Sequence, residues 1–360
     1  MVLLEISLFV ILAQIAFKVE ASLQPRLIVF GTGFSDNGNS NITGPIPWWN
    51  KHFSNGPVWG EYLSYHNKYT MLDFAIDGAT SNNTMVGVYT GAKIRSPSLL
   101  DQVSRYKETI KDQYSASDIV NDVVAIEIGA NDISNAASKI LASRINVSAY
   151  LNESISNVMS AAKQLADMGH RNIYFANVPN ILDITSLGLL PGIFTKGIKE
   201  AITSYNSKLE SAVSSFSFPN SDKGNAGVFD TYGLIDVTLS GFYKDLNITT
   251  TSSACYVPIL WGSRVSACTD SDKYYFVDKS HPSTRIHALM GGAFSEKISD
   301  PSFTPSKSSL DSVKNKYNVL SAGSKSNFLY NTKSDSGSGL VIKSYTAKDV
   351  ANNLKEIYQN

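Results

Sequence analysis

Residues 27–39 read LIVFGTGFSDNGN, and this stretch decides both how the chain begins to fold and where a site is expected. Leu27–Phe30 is a short apolar run that ends at a glycine-containing turn, a pattern typical of a buried strand. In open α/β sheets the functional residues lie beyond the carboxyl ends of the strands. Gly33 and its polar neighbours are therefore the first candidates for a site.

Four further segments have the length and composition of strands: Leu72–Ile76, Val123–Ile128, Asn172–Ala176 and Gly227–Asp230. Between them, apolar residues recur at helical spacing over residues 99–110, 147–165 and 198–213, and a further helix is expected over 284–294. Strands that alternate with helices predict a parallel sheet covered on both faces. We therefore expect a flavodoxin-like, three-layer α/β/α sandwich with a central, mostly parallel sheet of five strands.

Residues 30–39 resemble block I of the GDSL (SGNH) esterase and lipase family, usually F-G-D-S-L-S-D-x-G-N. In that family the first serine of the block forms the acyl-enzyme, and this chain has Gly33 at that position. Thr32 and Phe34 also differ from the usual block, where Asp and Leu stand. The residues that still match are Phe30, Gly31, Ser35, Asp36, Gly38 and Asn39. The resemblance therefore implies a hydrolase framework without its attacking hydroxyl.

Four more segments resemble the family in the same order, over about the first 297 residues of the chain. Residues 53–59, FSNGPVW, resemble the entry to its first long connection, and residues 74–80, FAIDGAT, resemble block II. Residues 129–132, GAND, match block III, and residues 278–282, DKSHP, match block V, although Val277 replaces the tryptophan often found there. The resemblance implies an SGNH-hydrolase fold and an ester hydrolase class.

The resemblance also implies roles for individual residues. Asp278 and His281 would be the catalytic dyad, in which the imidazole acts as general base and the carboxylate orients it. The N–H groups of Gly33 and Gly78 and the amide of Asn131 would form the oxyanion hole. Structural interpretations exist beside these roles, because Gly78 suits a turn with positive φ and Asn131 suits a helix N-terminus.

Several hypotheses about activity remain open at this point. Ser35, Thr32 or a water activated by His281 would each make the protein an active esterase by another route. Loss of the nucleophilic serine costs about 10⁶ in turnover in subtilisin and leaves roughly 10³ to 10⁴ over water. The main hypothesis is therefore an impaired hydrolase that binds an acylated carbohydrate, another small ester or a lipid. Trp48, Trp49 and Asn55 are candidates for binding this substrate, although the tryptophans would equally suit packing of the first long connection.

Composition excludes some other classes. Lys and Arg together number 31, as do Asp and Glu, so no net field attracts nucleic acid. Residues 31–33, GTG, would suit a dinucleotide-binding turn, but the third glycine of that motif falls at Asp36 and no ribose-binding acid follows about 20 residues on. Two cysteines without histidine at ligand spacing do not suit a metal site. We expect a monomer without cofactor or metal.

The amino-terminal segment predicts export. Residues 1–21 contain an apolar run, Ile6–Phe17, and end in a small-x-small site before Ser22, which is typical of a cleaved secretory signal peptide. A membrane anchor is the alternative, but the run is shorter than the ~20 residues that cross a bilayer, so no transmembrane span is expected in the mature chain. Cys255 and Cys268 are expected to form a disulfide in an oxidising compartment. The glycosylation sequons are Asn41, Asn82, Asn146, Asn152 and Asn247.

These features together predict a secreted, extracellular or cell-wall protein with a hydrolase-like domain at 22–298. Beyond Ser299 the composition turns to Ser, Lys and Asn, which is typical of a linker-like extension, here 299–360. Its last part, 347–358, suits a short helix. A cell-surface interaction protein that works through this extension is the remaining alternative.

Overall fold

The computed structural model describes residues 24–42, 48–184, 192–257, 266–330 and 339–359, so the predicted signal peptide lies outside the described residues. The strands are β1 (Arg26–Phe30), β2 (Thr70–Asp73), β3 (Val123–Glu127), β4 (Asn172–Ala176), β5 (Asn225–Phe229), β6 (Thr250–Ala254), β7 (Tyr256–Val257), β8 (Ser266–Ala267), β9 (Tyr274–Phe276) and β10 (Ser344–Thr346). Six of them form the central sheet in the order β10-β2-β1-β3-β4-β5, and every neighbouring pair is parallel.

Helices cover both faces of this sheet. They are α1 (Trp59–Asn67), α2 (Asn83–Thr90), α3 (Leu99–Ile110), α4 (Ala116–Ile119), α5 (Ala130–Leu141), α6 (Val147–Met168), α7 (Ile181–Ile184), α8 (Gly192–Ser214), α9 (Thr231–Leu239), α10 (Thr284–Ser299), α11 (Lys307–Lys316), α12 (Ala347–Asn352) and α13 (Leu354–Tyr358). Successive residues of a strand point to opposite faces, and accordingly Val29 of β1 lies against Gly60 of α1 while the Phe30 ring contacts Tyr106 of α3. The predicted three-layer α/β/α architecture is confirmed.

The sheet has one strand more than the sequence predicts. Ser344–Thr346 pairs with β2, with Ser344 opposite Met71. Its three residues contain no apolar run, so periodicity gives no signal for it. Polar contacts fix it instead, because Asn37 Nδ2 donates to Ser344 Oγ at 3.0 Å and the Ala347 N–H donates to Asn39 Oδ1 at 2.8 Å. The C-terminal segment therefore holds the loop that follows β1.

Residues after 299 also enter the hydrophobic core. Leu310, Val313, Val350 and Tyr358 are buried there, although most of the surrounding residues are polar. None of the helices in the described ranges is long and apolar enough to cross a membrane. Four of the asparagines in the predicted sequons are exposed, namely Asn41, Asn146, Asn152 and Asn247. The fifth, Asn82, is half-buried. Asn82 caps α2, because its side chain accepts from the N–H groups of Thr84 and Met85.

A buried ion pair joins the start of β1 to the start of β3. Arg26 Nε lies 3.0 and 2.9 Å from the two carboxylate oxygens of Asp122, and both side chains are 1% exposed. The same guanidinium donates to the Ile357 carbonyl at 3.0 Å and lies 4.4 Å from the centre of the Tyr358 ring. One cation thus connects two strands and the last helix.

We expect Asp122→Ala to lower the free energy of unfolding by about 3–5 kcal/mol, because it leaves a buried guanidinium without its counter-ion. Urea denaturation at pH 8 measures this, since burial raises the pKa of Asp122 to about 6 and the carboxylate is ionised above that pH. Asp167→Ala is the control, because it removes the exposed pair with Lys163, at 2.8 Å, and should cost less than about 1 kcal/mol. Equal effects of the two substitutions would contradict the prediction.

Candidate active site

The candidate site lies where the strand order reverses, outside the carboxyl ends of β1, β2 and β3. The order β2-β1-β3 makes the loops after β1 and β3 diverge and leaves a crevice between them. The crevice has a volume of about 550 Å³ and is lined by Thr32, Asp77, Gly78, Asn131 and His281 together with several aromatic side chains. Parallel strands thus bring together residues that are up to about 250 positions apart.

Asp278 and His281 form a fixed dyad at one wall of the crevice. Nδ1 of His281 lies 2.9 Å from both carboxylate oxygens of Asp278. The Asp278 carboxylate also accepts the backbone N–H groups of Ser280 and His281, each at 2.9 Å, and the Trp48 indole N–H at 3.0 Å. The His281 ring stacks on Phe53, with 4.7 Å between ring centres. The orientation of the imidazole is therefore set from two sides.

The opposite nitrogen of the imidazole faces Gly33 and Asp77. Nε2 of His281 lies 3.5 Å from Asp77 Oδ1. A Cβ added to Gly33 would lie 2.5 Å from the same oxygen and still closer to Nε2. Gly33 is not among the glycines with positive φ, so its backbone would accept another residue. A side chain at position 33 is therefore excluded by lack of space and not by backbone conformation. Asp77 and His281 occupy the volume that this side chain would need.

Charge in the crevice follows from these contacts. Burial disfavours the imidazolium, but attraction to Asp278 and Asp77 outweighs it and raises the pKa of His281 to about 10. Burial likewise opposes ionisation of Asp278, yet the nearby imidazolium and hydrogen bonds hold the pKa of that carboxyl below its ordinary value. Near neutral pH the site therefore holds an imidazolium between two carboxylates. An imidazolium has no free lone pair and cannot accept a proton as a general base.

Of the three residues assigned to the oxyanion hole, Gly78 and Asn131 line the crevice, and Gly33 lies between the lining residues Thr32 and Phe34. The N–H groups of Gly33 and Gly78 have no hydrogen-bond acceptor among the described residues. Gly78 has φ of +78°, which also fits its interpretation as a turn glycine. Asn131 is not the cap of α5, since that position is Gly129. One hydrogen of its amide is donated to the Ala79 carbonyl at 3.0 Å, and the other is left for the crevice.

The two hydroxyls near Gly33 are held by Glu127, which sequence analysis did not identify. Thr32 Oγ1 donates to Glu127 Oε2 at 2.8 Å, and Ser35 Oγ donates to the same oxygen at 3.1 Å. Ser35 is 0% exposed, and its hydroxyl also accepts the Trp59 indole N–H at 3.0 Å. Burial raises the pKa of Glu127 to about 7, although the hydrogen bonds from Thr32 and Ser35 oppose this shift. Ser35 is therefore a structural residue, whereas Thr32 faces the crevice.

The residues predicted to bind substrate separate into two groups. Trp48 lines the crevice, and its ring lies 5.5 Å from Phe53 and 5.3 Å from Tyr256. Trp49 lies outside the crevice lining and stacks on Tyr330 at 5.0 Å.

Asn55 lies outside the crevice lining too and is 1% exposed. Its amide donates to Ser271 and Asp272, at 3.0 Å each, and its Oδ1 accepts the Thr284 N–H at 2.8 Å. This side chain supports the chain around the start of α10 and has no hydrogen-bonding group left for a ligand.

The predicted disulfide between Cys255 and Cys268 is present and supports the aromatic wall. It joins the residue before β7 to the residue after β8, two strands that pair with each other, and the Tyr256 N–H donates to the Val277 carbonyl at 2.7 Å. Tyr256 is thereby bonded to Val277, the residue that precedes Asp278. In the part of the chain that the structure describes, no group of three or more His, Cys, Asp or Glu side chains could hold a metal ion.

This chain is similar to several known proteins. A curated relative, the thermolabile hemolysin of Vibrio parahaemolyticus, is 24% identical over 293 residues, which are 74% of this chain and 63% of that protein. The chain thus spans less than two thirds of the length of this relative.

Two similar solved structures are phospholipase A1 from Streptomyces albidoflavus and an extracellular lipase from Streptomyces rimosus. The first is 11% identical with a TM-score of 0.37, and the match covers 74% of this chain and 94% of the other chain. The second is 14% identical with a TM-score of 0.32 and covers 72% of this chain.

The family model of the GDSL-like lipases and acylhydrolases matches residues 27–294. This range contains β1, the crevice loops, the dyad and most of α10. The chain therefore belongs to the GDSL-like lipase/acylhydrolase family.

Proposed function

We propose that this protein binds an acylated ligand, a carbohydrate ester or a lipid, in the crevice and does not turn it over efficiently. The proposal depends on one observation: the nitrogen of His281 that a nucleophile would use faces Gly33, which carries no hydroxyl. Members of this family hydrolyse esters through a serine, so the position of Gly33 in block I removes the attacking atom. Loss of that atom costs about 10⁶ in turnover in the subtilisin example.

Binding is supported by what surrounds the vacant position. The N–H groups of Gly33 and Gly78 and the free amide hydrogen of Asn131 are donors for an ester oxygen. Trp48 and Tyr256 provide an aromatic wall, and a crevice of about 550 Å³ has room for a sugar ring or the head of a lipid. A mostly apolar pocket with a few convergent polar groups is the usual form of a small-molecule site.

The protonation state of His281 is a second reason to expect slow catalysis. With its pKa near 10, His281 is an imidazolium at neutral pH and is not available to activate a water. The extracellular setting is a further part of the proposal. It is supported by the disulfide, which persists in oxidising compartments, and by the exposed sequon asparagines.

A second candidate function is an esterase in which Thr32 replaces the serine. The observation that favours it is the hydrogen bond from Thr32 Oγ1 to Glu127, whose pKa of about 7 suits a general base. Thr32 Oγ1 would attack the acyl carbon while its proton passes to Glu127, and the alcohol would leave with a proton returned by that carboxyl. A water deprotonated by Glu127 would then attack the acyl-threonine, release the acid and restore the Thr32 hydroxyl. The four hydrogen bonds that Glu127 accepts from Thr32 and Ser35 have a simpler structural role, which is to hold the loop after β1.

For the proposed function we expect the native protein to hydrolyse p-nitrophenyl acetate no faster than the His281→Ala variant. The reason is that neither protein has both a working nucleophile and a working base. Initial rates at pH 7.5, with total ester cleavage followed by absorbance, measure this. Native turnover at least about 100-fold above His281→Ala or Thr32→Val would contradict the proposal. A loss confined to Thr32→Val would favour the threonine esterase instead.

Binding is tested by filling the crevice from α5. Ser134 lines the crevice, and Ser138, one turn further along the same helix, is exposed and outside it. We expect an acetylated xylo-oligosaccharide or a short-chain phosphatidylcholine to bind the native protein and Ser138→Trp alike. Ser134→Trp should weaken the Kd at least about tenfold, because the indole occupies the ligand's volume. Isothermal titration calorimetry measures the three proteins, and equal affinities in all of them would place the ligand elsewhere.

A further inference from the structure

Asp77 lies where the chemistry of a hydrolase would need open space. We propose that Asp77 is a positioning residue that occupies the nucleophile side of His281, so that Gly33 and Asp77 together, and not Gly33 alone, keep the crevice from cleaving esters. This inference rests on the proposed function and adds a second residue to it. It predicts that a serine at position 33 needs a second substitution before it can work.

A serine side chain at position 33 and the Asp77 carboxylate cannot occupy the same space beside His281. A nucleophilic oxygen has to lie about 2.6–3.2 Å from the base that activates it. In this crevice Asp77 Oδ1 lies 3.5 Å from Nε2 of His281, and a Cβ on Gly33 would lie 2.5 Å from that carboxylate oxygen. The imidazole would be closer still to that Cβ. Real Cβ atoms do not come so close to another heavy atom, so a serine at 33 requires both the Asp77 carboxylate and the His281 ring to shift.

His281 can shift only slightly, because Asp278 binds it through Nδ1 and Phe53 stacks on its ring. Residue 77 is also anchored through its backbone. Its N–H lies 3.2 Å from Asp36 Oδ2 and 3.1 Å from Ser40 Oγ, and its carbonyl accepts from Ser96 Oγ at 2.5 Å. The Asp77 carboxylate can leave this space only by rotation of its side chain, and that rotation breaks its contact with the imidazolium. Without the carboxylate, the ring has room for the shift that a Cβ at position 33 requires of it.

Charge acts in the same direction as space. The ionisable groups that act on His281 are the carboxylates of Asp278 and Asp77, the buried Glu127 and the buried His287. Burial and the positive charge of His281 lower the pKa of His287 to about 3, so His287 is neutral. Asp77 is therefore the group that favours the imidazolium from the Nε2 side, where a base must be unprotonated to accept a proton.

The test compares four full-length proteins: native, Gly33→Ser, Asp77→Ala and the double variant. We expect Gly33→Ser alone to raise kcat/KM for p-nitrophenyl acetate less than about tenfold and the double variant to raise it at least about 100-fold. Such a gain exceeds the product of the single effects, as coupled neighbours do. Asp77→Ala alone supplies no hydroxyl, so its rate should stay far below that of the double variant. Adding His281→Ala to the double variant gives the background rate.

A second readout reports the contact itself. The titration of His281, followed by NMR of its imidazole carbon-bound protons, should shift to lower pH in Asp77→Asn, because this substitution removes charge and keeps shape. Asp112→Asn is the matched control. Asp112 is exposed, follows the end of α3 and is not among the residues that line the crevice. His281 should titrate there as in the native protein.

Two results overturn the inference: a double variant no faster than Gly33→Ser, whatever the absolute rate, or a titration of His281 that Asp77→Asn leaves unchanged. If Asp77→Ala does not fold, as judged by circular dichroism, Asp77→Gly replaces it in the comparison, because glycine also supplies no hydroxyl. Failure of the proposed function is a different result, since it consists of rapid hydrolysis by the unmutated protein. The two failures are therefore distinguishable in one set of assays.

Discussion

The contact of His281 with carboxylates on both sides is the interaction on which the rest of the site depends. Asp278 fixes the ring through Nδ1, and Asp77 approaches Nε2. This second approach is possible only because position 33 has no side chain. The residue at the end of β1 thus determines which groups can approach a ring about 250 positions away. The site is a coupled unit of four positions and not a triad with one member missing.

The scaffold that presents this unit is held by polar contacts as much as by the hydrophobic core. Gln102 of α3 accepts from the Gly31 N–H at 2.9 Å and donates to its carbonyl at 3.0 Å, which fixes the first residue after β1. Glu127 fixes the next residue through Thr32. Asn39 connects the same loop to Ala347 in the C-terminal segment. Because a buried polar group must be paired, each of these contacts restricts where Gly33 lies.

The sequence predicts the main parts of the fold because they follow from periodicity. The strand Asn172–Ala176 is found at its predicted bounds, and the cysteines pair as expected. The strand at 344–346 could not be predicted, since it is short and polar and is specified by partners such as Asn37 that lie about 300 residues away. The dyad positions could be identified from the family's motifs. Asp77 and Glu127 could not, because their roles arise from distances across the crevice and not from spacing along the chain.

The persistence of the charged groups is not explained by stability. Buried ion pairs can often be replaced by apolar residues of similar size at no cost or with a gain in stability. A chain that needed the crevice only as part of its core would gain nothing from Asp278, His281 and Asp77. An imidazolium between two carboxylates, beside the free N–H groups of Gly33 and Gly78, offers both donors and acceptors to a polar ligand. Under the proposed function, a ligand that pairs with these groups would account for charged side chains in a crevice where position 33 has no hydroxyl.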